Sequence, residues 1–177
     1  MIVTLNLNMK LLPFMRTAYE NRIDKEIKKA KIGEVTGGGT DLEENGEVRS
    51  CDIEIKLRNK KHYDQLLEIL KKIKMARSSK VISEKEIIEI GEDEGLAIYL
   101  NGTDLPKEVY ETCDVNYVFD KLTEAMDGIG LPVSHFEGDK ETALYFYGKS
   151  FEAMKDAITD FTSSYPLCEK CRIVQIA

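Results

Sequence analysis

The sequence lacks any long apolar run. Its N-terminal stretch, MIVTLNLNMKLLPFMRTAYENR, is interrupted by Asn6, Asn8 and Lys10. A membrane-spanning helix needs about 20 consecutive, mainly apolar residues, and a signal peptide needs an uninterrupted apolar centre. We therefore expect neither segment and predict a cytosolic protein that has no membrane partner.

Residues that commonly carry chemistry are scarce, since the chain has 2 His and 4 Cys. Neither histidine stands at a recognised spacing from a nucleophile or carboxylate. Cys168 and Cys171 form a C-x-x-C pair, but they precede a terminal strand, whereas thioredoxin-like pairs begin a helix. A zinc site would need two further ligands. We predict no enzyme, metal or cofactor, and keep a metal- or thiol-dependent enzyme using this pair as the third alternative.

The second half of the chain is short of basic residues. Residues 91–177 carry 7 Lys and Arg against 17 Asp and Glu, a net charge of −10. Residues 1–90 carry 18 against 15, a net charge of +3. A phosphate backbone would be repelled by the acidic half, so we expect no nucleic-acid partner. The acidic excess favours a basic protein partner, or it only keeps the chain soluble.

One order of elements occurs twice along the chain. In the first half, Gly33 is expected to stop the first helix, and the clearest alternation of apolar and polar residues is at 51–57. The predicted elements of this half are a strand at 2–8, a helix from Pro13, strands at 32–36 and 51–57, a helix at 62–74 and one final strand within 78–90.

The second half follows the same order. Its predicted elements are a strand at 95–100, a loop at 101–112, a helix at 113–130, strands at 131–136 and 142–147, a helix after Gly148 and a strand at 171–176. Both halves therefore have the order βαββαβ, which is typical of the ferredoxin-like unit. We predict an α+β chain of two tandem ferredoxin-like modules, residues 1–90 and 91–177, each with an antiparallel sheet and helices on one face.

Three short segments carry a resemblance to a group of proteins: GGGT, CDIEI and LYFYG. With these segments the chain resembles small bacterial proteins built from paired ferredoxin-like modules, some of which are similar to immunity proteins that neutralise a toxin. The resemblance implies a non-catalytic, partner-binding function.

The three consecutive glycines Gly37, Gly38 and Gly39 raise the question of a phosphate-binding loop. Such loops lead into a helix and often end in Lys-Ser or Lys-Thr. Here no lysine follows, and the next element is a strand. We interpret the glycines as a kink or bulge at the end of a strand. Close approach of a partner's backbone stays open as an alternative.

Tyr145 and Tyr147 are expected to share one face of a strand, with Leu144 and Phe146 facing the helices. RRM sheets use such aromatic side chains to stack bases, but the RNP1 pattern and the basic charge are missing. We instead expect these tyrosines to cover the open sheet face where the two modules meet, or where two copies meet in a homodimer.

Acidic residues recur away from the apolar faces of the two helices in the second half. Their spacing is i, i+4 and i+7 on one helix and i, i+4 and i+8 on the other. They are Asp120, Glu124, Asp127, Glu152, Asp156 and Asp160.

Since the two helices of this fold lie side by side, we expect these residues to form one negative surface that steers a basic protein, such as a nuclease toxin, by long-range attraction. The leading function is an immunity-type inhibitor that occludes such a toxin. The alternatives are a solvated helical face with no partner, and a small-ligand sensor of the ACT type with a pocket between the modules.

Overall fold

The computed structural model describes residues 1–177, and the chain divides into two compact units, Met1–Glu92 and Asp93–Ala177. No helix in either unit combines the length and the apolar content that crossing a bilayer requires.

The first unit contains five strands and two helices. They are β1 (Ile2–Leu7), α1 (Pro13–Lys29), β2 (Gly33–Leu42), β3 (Val48–Leu57), α2 (Tyr63–Leu70), β4 (Ser79–Ile82) and β5 (Ile87–Ile90). The strands form one antiparallel sheet in the order β2-β3-β1-β4-β5. A short 3-10 turn, Lys60–His62, precedes α2.

The core of this unit follows from the alternation of the two central strands. β1 and β3 place the apolar residues of each pair opposite one another, as in Val3 with Ile55 and Leu5 with Ile53. All four side chains are fully buried. Burying one such side chain stabilises a fold by about 1.5–3 kcal/mol.

The end of the first unit differs from the prediction. A single strand was expected within residues 78–90, whereas the structure has the hairpin of β4 and β5. The polar segment between them turns the chain: the Ser83 hydroxyl accepts hydrogen bonds from the N–H groups of Lys85 and Glu86 at 3.3 Å. The hydrogen bonds of the Ser83 side chain favour a turn here, so the apolar residues that follow form a separate strand instead of continuing β4.

Gly33 does not end the first helix, contrary to the prediction. Helix α1 ends with Ala30 as C-cap, and Lys31 takes the left-handed conformation with φ of 60°. Gly33 is the first residue of β2, where a Cβ atom would collide with the carbonyl oxygen of Lys56. Its role is therefore close strand packing.

The three glycines lie inside β2 and do not form a loop. The register between β2 and β3 shifts between Val35 and Gly37, which marks the β-bulge that the sequence suggested. A Cβ on Gly38 would lie 2.5 Å from Oε1 of Glu20 and 2.6 Å from the carbonyl oxygen of Asp52. Gly37 and Gly39 have no atom within 4 Å of that position. Gly38 alone is required by its surroundings.

Polar side chains of α1 occupy the space above Gly38. Nε of Arg16 donates to Oε1 of Glu20 at 2.8 Å, and Nη1 of Arg16 donates to the Thr40 hydroxyl at 2.7 Å. The carboxylate of Asp24 accepts a hydrogen bond from the Val35 N–H at 2.9 Å. These α1 side chains hydrogen-bond the Thr40 hydroxyl and the Val35 N–H of the edge strand β2. They also fill the space that a side chain at position 38 would need, which explains the glycine there.

The second unit contains four strands and three helices. They are β6 (Glu94–Asn101), α3 (Lys107–Thr112), α4 (Val115–Ala125), β7 (Gly130–Glu137), β8 (Glu141–Gly148), α5 (Phe151–Ser164) and β9 (Arg172–Gln175). The sheet is antiparallel in the order β7-β8-β6-β9. This is the order of β2-β3-β1-β4 in the first unit, so the chain has two tandem ferredoxin-like α+β modules, as predicted.

The helix prediction for residues 113–130 was too long, and the preceding loop contains a helix. Pro106 precedes α3, a position before the first turn that proline tolerates. Helix α4 ends at Ala125, since Gly128 with φ of +74° and a turn follow. Leu144 and Phe146 belong to the core cluster beneath the helices, as predicted from the strand alternation.

Gly38→Ala is expected to lower the free energy of unfolding by about 1–3 kcal/mol, because the new methyl group overlaps the Asp52 carbonyl and the Glu20 carboxylate. The matched controls Gly37→Ala and Gly39→Ala meet open space, so they should be neutral or slightly stabilising. Urea denaturation of the three variants measures the difference. Equal effects of all three would contradict the role given to Gly38.

A candidate protein-binding surface on the helices of the second unit

Helices α4 and α5 lie side by side and run antiparallel. Tyr117 at the start of α4 contacts Phe161 and Tyr165 at the end of α5, with ring centroids 6.2 and 5.3 Å apart. Phe161 and Tyr165 stack on each other at 5.2 Å. Such aromatic pairs contribute about 0.5–1.5 kcal/mol beyond their buried area. They fix the spacing of the two helices.

Side-chain caps hold the start of each helix. Asp114 accepts a hydrogen bond from the Asn116 N–H at 2.8 Å, and Ser150 accepts one from the Ala153 N–H at 3.2 Å. Each cap satisfies a backbone donor that would otherwise lack a partner. The hydroxyl of Tyr165 accepts a hydrogen bond from the Asp114 N–H at 3.4 Å, which ties the first turn of α4 to the end of α5.

All six predicted acidic residues are exposed on this pair of helices. Five of them lie within α4 or α5, and Asp127 lies in the turn just after α4, because that helix ends earlier than predicted. We call this set the acidic helical surface; it comprises Asp120, Glu124, Asp127, Glu152, Asp156 and Asp160.

The carboxylates of this surface are of two kinds. Glu124 pairs with Lys121 at 2.7 Å, and this hydrogen bond lowers the pKa of Glu124. Glu152 pairs with Lys155 at 3.8 Å. The other four, all aspartates, form no ion pair and carry the unbalanced charge of the surface. The sequence spacing had not separated these two kinds.

Tyr117 is a residue of this surface that the sequence reasoning missed. Its side chain is 45% exposed although it belongs to the aromatic cluster between the helices. Nζ of Lys121 lies 6.0 Å from the centre of its ring. Tyrosine is one of the residue types enriched among the residues that anchor protein partners. In the sequence, Tyr117 directly precedes Val118 of the apolar stripe of α4, and this position at the border of the stripe could have indicated a partly exposed ring.

Two features of the charges on α5 do not favour the stability of that helix. Asp156 and Asp160 are like charges at i and i+4, which repel each other along α5. The last turn of α5 contains no basic residue that would compensate the helix dipole. These two aspartates therefore do not stabilise the helix that carries them.

The cysteine pair lies beside α5 and not at the start of a long helix. Cys168 is buried in a short 3-10 turn, Pro166–Cys168, and Cys171 is half-buried. Burial raises the pKa of the Cys168 thiol to about 12 and also raises the pKa of Cys171. Low-pKa thiols are the reactive ones, so this arrangement suits structural cysteines. No group of three or more potential metal ligands is assembled in the chain.

The two tyrosines of β8 are buried. Tyr145 is 2% exposed and Tyr147 is 5% exposed. Tyr145 packs edge-to-face on Tyr99, with ring centroids 6.5 Å apart, and the guanidinium of Arg172 lies 4.4 Å from the centre of the Tyr99 ring. Neither β8 ring is available for stacking a base in the way that RRM sheets use their aromatic residues.

Outside this surface lie a cleft in the first unit and an exposed histidine beside a carboxylate. A cleft of about 310 Å³ in the first unit is lined by Met1, Gly33, Glu34, Lys56, Leu57 and Arg58. His135 is exposed, and its ring nitrogen lies 3.9 Å from a carboxylate oxygen of the exposed Glu137. The predictions of no catalytic site, and of a ligand pocket between the modules, remain predictions.

Comparison with known proteins gives weak likenesses. No protein-family model matches the chain, and no curated protein sequence matches it. The first two RRM domains of the yeast poly(U) binding protein are 10% identical, over 100% of this chain and 99% of that one, with a TM-score of 0.27. The regulatory subunit of aspartate kinase from Thermus thermophilus is 14% identical, over 90% and 91%, with a TM-score of 0.29. At these TM-scores, neither likeness carries an argument about function.

Asp160→Asn is expected to raise the free energy of unfolding by about 0.2–0.5 kcal/mol, because it removes the like-charge repulsion with Asp156. Urea denaturation measures the change. Glu152→Gln is the opposite control on the same helix. It also relieves a repulsion with Asp156, but it removes the ion pair with Lys155 and a negative charge in the first turn of α5, where such a charge is favourable, so this variant should lose stability. A loss of stability in both variants would refute our view of the charge arrangement.

The raised pKa of Cys168 predicts a dependence of stability on pH. The unfolded thiol ionises near pH 8.5, whereas the folded thiol stays protonated to about pH 12. Its contribution to stability is therefore complete below about pH 8.5 and is lost as the pH rises above that value. Cys168→Ala should flatten the decline in unfolding free energy between pH 8 and pH 10, measured by urea denaturation. An unchanged decline in this variant would contradict the role given to the buried thiol.

Proposed function

We propose that the chain is a cytosolic, non-catalytic protein-binding module that holds a basic protein on the acidic helical surface. In its specific form the proposal is an immunity-type inhibitor, which covers the site of a basic toxin with α4 and α5. The observation that carries it is the set of four exposed aspartates without ion-pair partners on two helices fixed by an aromatic cluster.

Electrostatics supports a basic partner. The second unit, residues 93–177, carries 7 Lys and Arg against 16 Asp and Glu, a net charge of −9. A surface of one sign raises the rate of encounter with a partner of the opposite sign and disfavours partners of the same sign. Exposed charges at the rim of an interface contribute more to this steering than to affinity.

Affinity would come from the rigid part of the surface. Tyr117 is held by Phe161 and Tyr165, so little side-chain entropy is lost when a partner covers its exposed edge. The capped helices present the carboxylates in a fixed geometry before binding. The proposed mechanism is therefore occlusion by a preformed surface, with Tyr117 as anchor and the aspartates around it.

The test begins with capture of a basic protein from extracts of the source cells, followed by titration of the purified partner. The variant Asp120→Lys, Asp127→Lys, Asp156→Lys, Asp160→Lys is expected to weaken its binding by at least about a hundredfold, because four attractions become repulsions. Tyr117→Ala should weaken binding by about tenfold or more, as expected for an anchor residue. Binding should also weaken with rising salt.

The matched control reverses the same number of charges elsewhere in the second unit. Glu108, Glu137, Asp139 and Glu169 are exposed and lie outside α4 and α5. In a titration at about 0.15 M salt, their replacement by lysine should leave binding within about threefold of the original chain, since charges more than about 8 Å from the interface are largely screened. The proposal fails if the first variant binds as the original chain does, or if no basic protein is captured.

A further inference from the structure

The same helical face of the two modules carries opposite charge. In the first unit, α1 presents Arg22, Lys25 and Lys29 at i, i+3 and i+7, all exposed and without ion-pair partners. They lie opposite the buried stripe of Ile23 and Ile27. The outward face of α1 is therefore basic.

Two further lysines extend this face toward α2. Lys72 and Lys74 follow the end of α2 and are exposed. The hydroxyl of Tyr19, one turn before Arg22, donates to the backbone carbonyl of Lys74 at 3.2 Å, which places this segment beside α1. We call the set of Arg22, Lys25, Lys29, Lys72 and Lys74 the basic helical surface.

The carboxylates of α1 do not cancel this charge. Glu20 pairs with Arg16 at 2.8 Å, and Asp24 pairs with Lys28 at 2.7 Å. Both pairs lie on the side of α1 that faces β2. Glu26, which is half-buried, is the remaining carboxylate of the helix. The basic helical surface thus keeps an excess of positive charge.

We propose that the basic helical surface of one copy binds the acidic helical surface of a second copy, so that the chain associates with itself, first unit to second unit. The proposal rests on the same acidic helical surface as the proposed function. It adds a defined occupant for that surface and a role for the basic surface of the first unit.

The two surfaces match in length and in character. Arg22 to Lys29 spans seven residue steps of α1, about 10 Å of helix. Asp120 to Asp127 spans the same number of residues, along the end of α4 and the turn after it. Each surface also has one exposed aromatic residue: Phe14 on α1 is 67% exposed and Tyr117 is 45% exposed. Phe14 lies eight residues before Arg22, and Tyr117 lies three residues before Asp120. Docking α1 against α4 and α5 would therefore pair the two charge rows and leave an apolar ring beside one end of each row.

A second copy fits the basic surface better than a nucleic acid does. Every first unit is joined to a second unit of net charge −9, which repels a polynucleotide and attracts another first unit. The complementary surface is also present at the same concentration in any solution of the chain. Since a second copy and a basic protein would use the same carboxylates, binding of the basic protein should dissociate the self-associated chain.

Sedimentation velocity of the full chain over a range of concentrations tests the proposal. Association should be present at about 0.01 M NaCl and absent at about 1 M NaCl, between which the Debye length falls from about 30 Å to about 3 Å. Variant B, with Arg22→Glu, Lys25→Glu and Lys29→Glu, should raise the dissociation constant at least about tenfold. Variant A, with Asp120→Lys, Asp127→Lys and Asp156→Lys, should do the same.

The decisive measurement is the equimolar mixture of variants A and B. Each variant alone carries surfaces of one sign, but together they again offer complementary pairs, so the mixture should associate as the original chain does. Restored association also shows that both variants are folded, which circular dichroism checks independently. The matched control Lys56→Glu, Lys80→Glu, Lys85→Glu changes the same charge away from α1 and should associate normally.

Three results would overturn the proposal: a chain that is monomeric at low salt, association that survives in variant A or variant B, or a mixture that stays monomeric. A fluorescent single-stranded oligonucleotide serves as the competing probe. If the original chain is monomeric and binds the oligonucleotide, and variant B does not, the basic surface belongs to a nucleic-acid site instead. Because these measurements use only the purified chain, their failure leaves the proposed binding of a basic protein to be judged by its own titration.

Discussion

The structure depends on the burial of alternating side chains along the central strand pair of each sheet. In the first unit this pair is β1 with β3, and in the second it is β6 with β8, where Leu96 lies opposite Phe146 and Ile98 opposite Leu144. A shift of one residue in either register would turn these side chains to the other face of the sheet. The amphipathic helices then have only one face of each sheet to cover, and their outward faces stay exposed to solvent.

The two modules use one architecture for opposite surface chemistry. Core positions are constrained by packing, since even one methylene group is felt in a close-packed interior. Outward helical positions have no such constraint, and there the first unit carries lysine and arginine where the second carries aspartate and glutamate. Function in such a chain resides in side chains attached to a shared scaffold, and the scaffold alone does not indicate it.

The glycine segment shows how a sequence motif can have a structural cause. Position 38 requires glycine because the Glu20 carboxylate, held by Arg16, occupies the space that a side chain at this position would need. Gly37 and Gly39 meet no neighbouring atom at that position. The polar row of α1 thus replaces an apolar contact between helix and edge strand. In this row, Asp24 accepts a hydrogen bond from the Val35 N–H, a backbone donor that the exposed edge would otherwise offer to another strand.

The sequence by itself determined the periodic features: the order βαββαβ in both halves, the buried positions of β3 and β8, and the exposed acidic positions of α4 and α5. Periodicity is local, so it can be recognised without knowledge of the fold.

Only the tertiary structure decided where α4 ends, that residues 107–112 are helical, that β5 adds a fifth strand, and that Gly38 lies under Glu20. It also separated the aspartates without partners from the glutamates paired with lysine, and it identified Tyr117 as fixed yet exposed. These features depend on contacts between residues that are distant in the sequence or on the choice among alternative local pairs, and side-chain spacing alone does not specify such contacts.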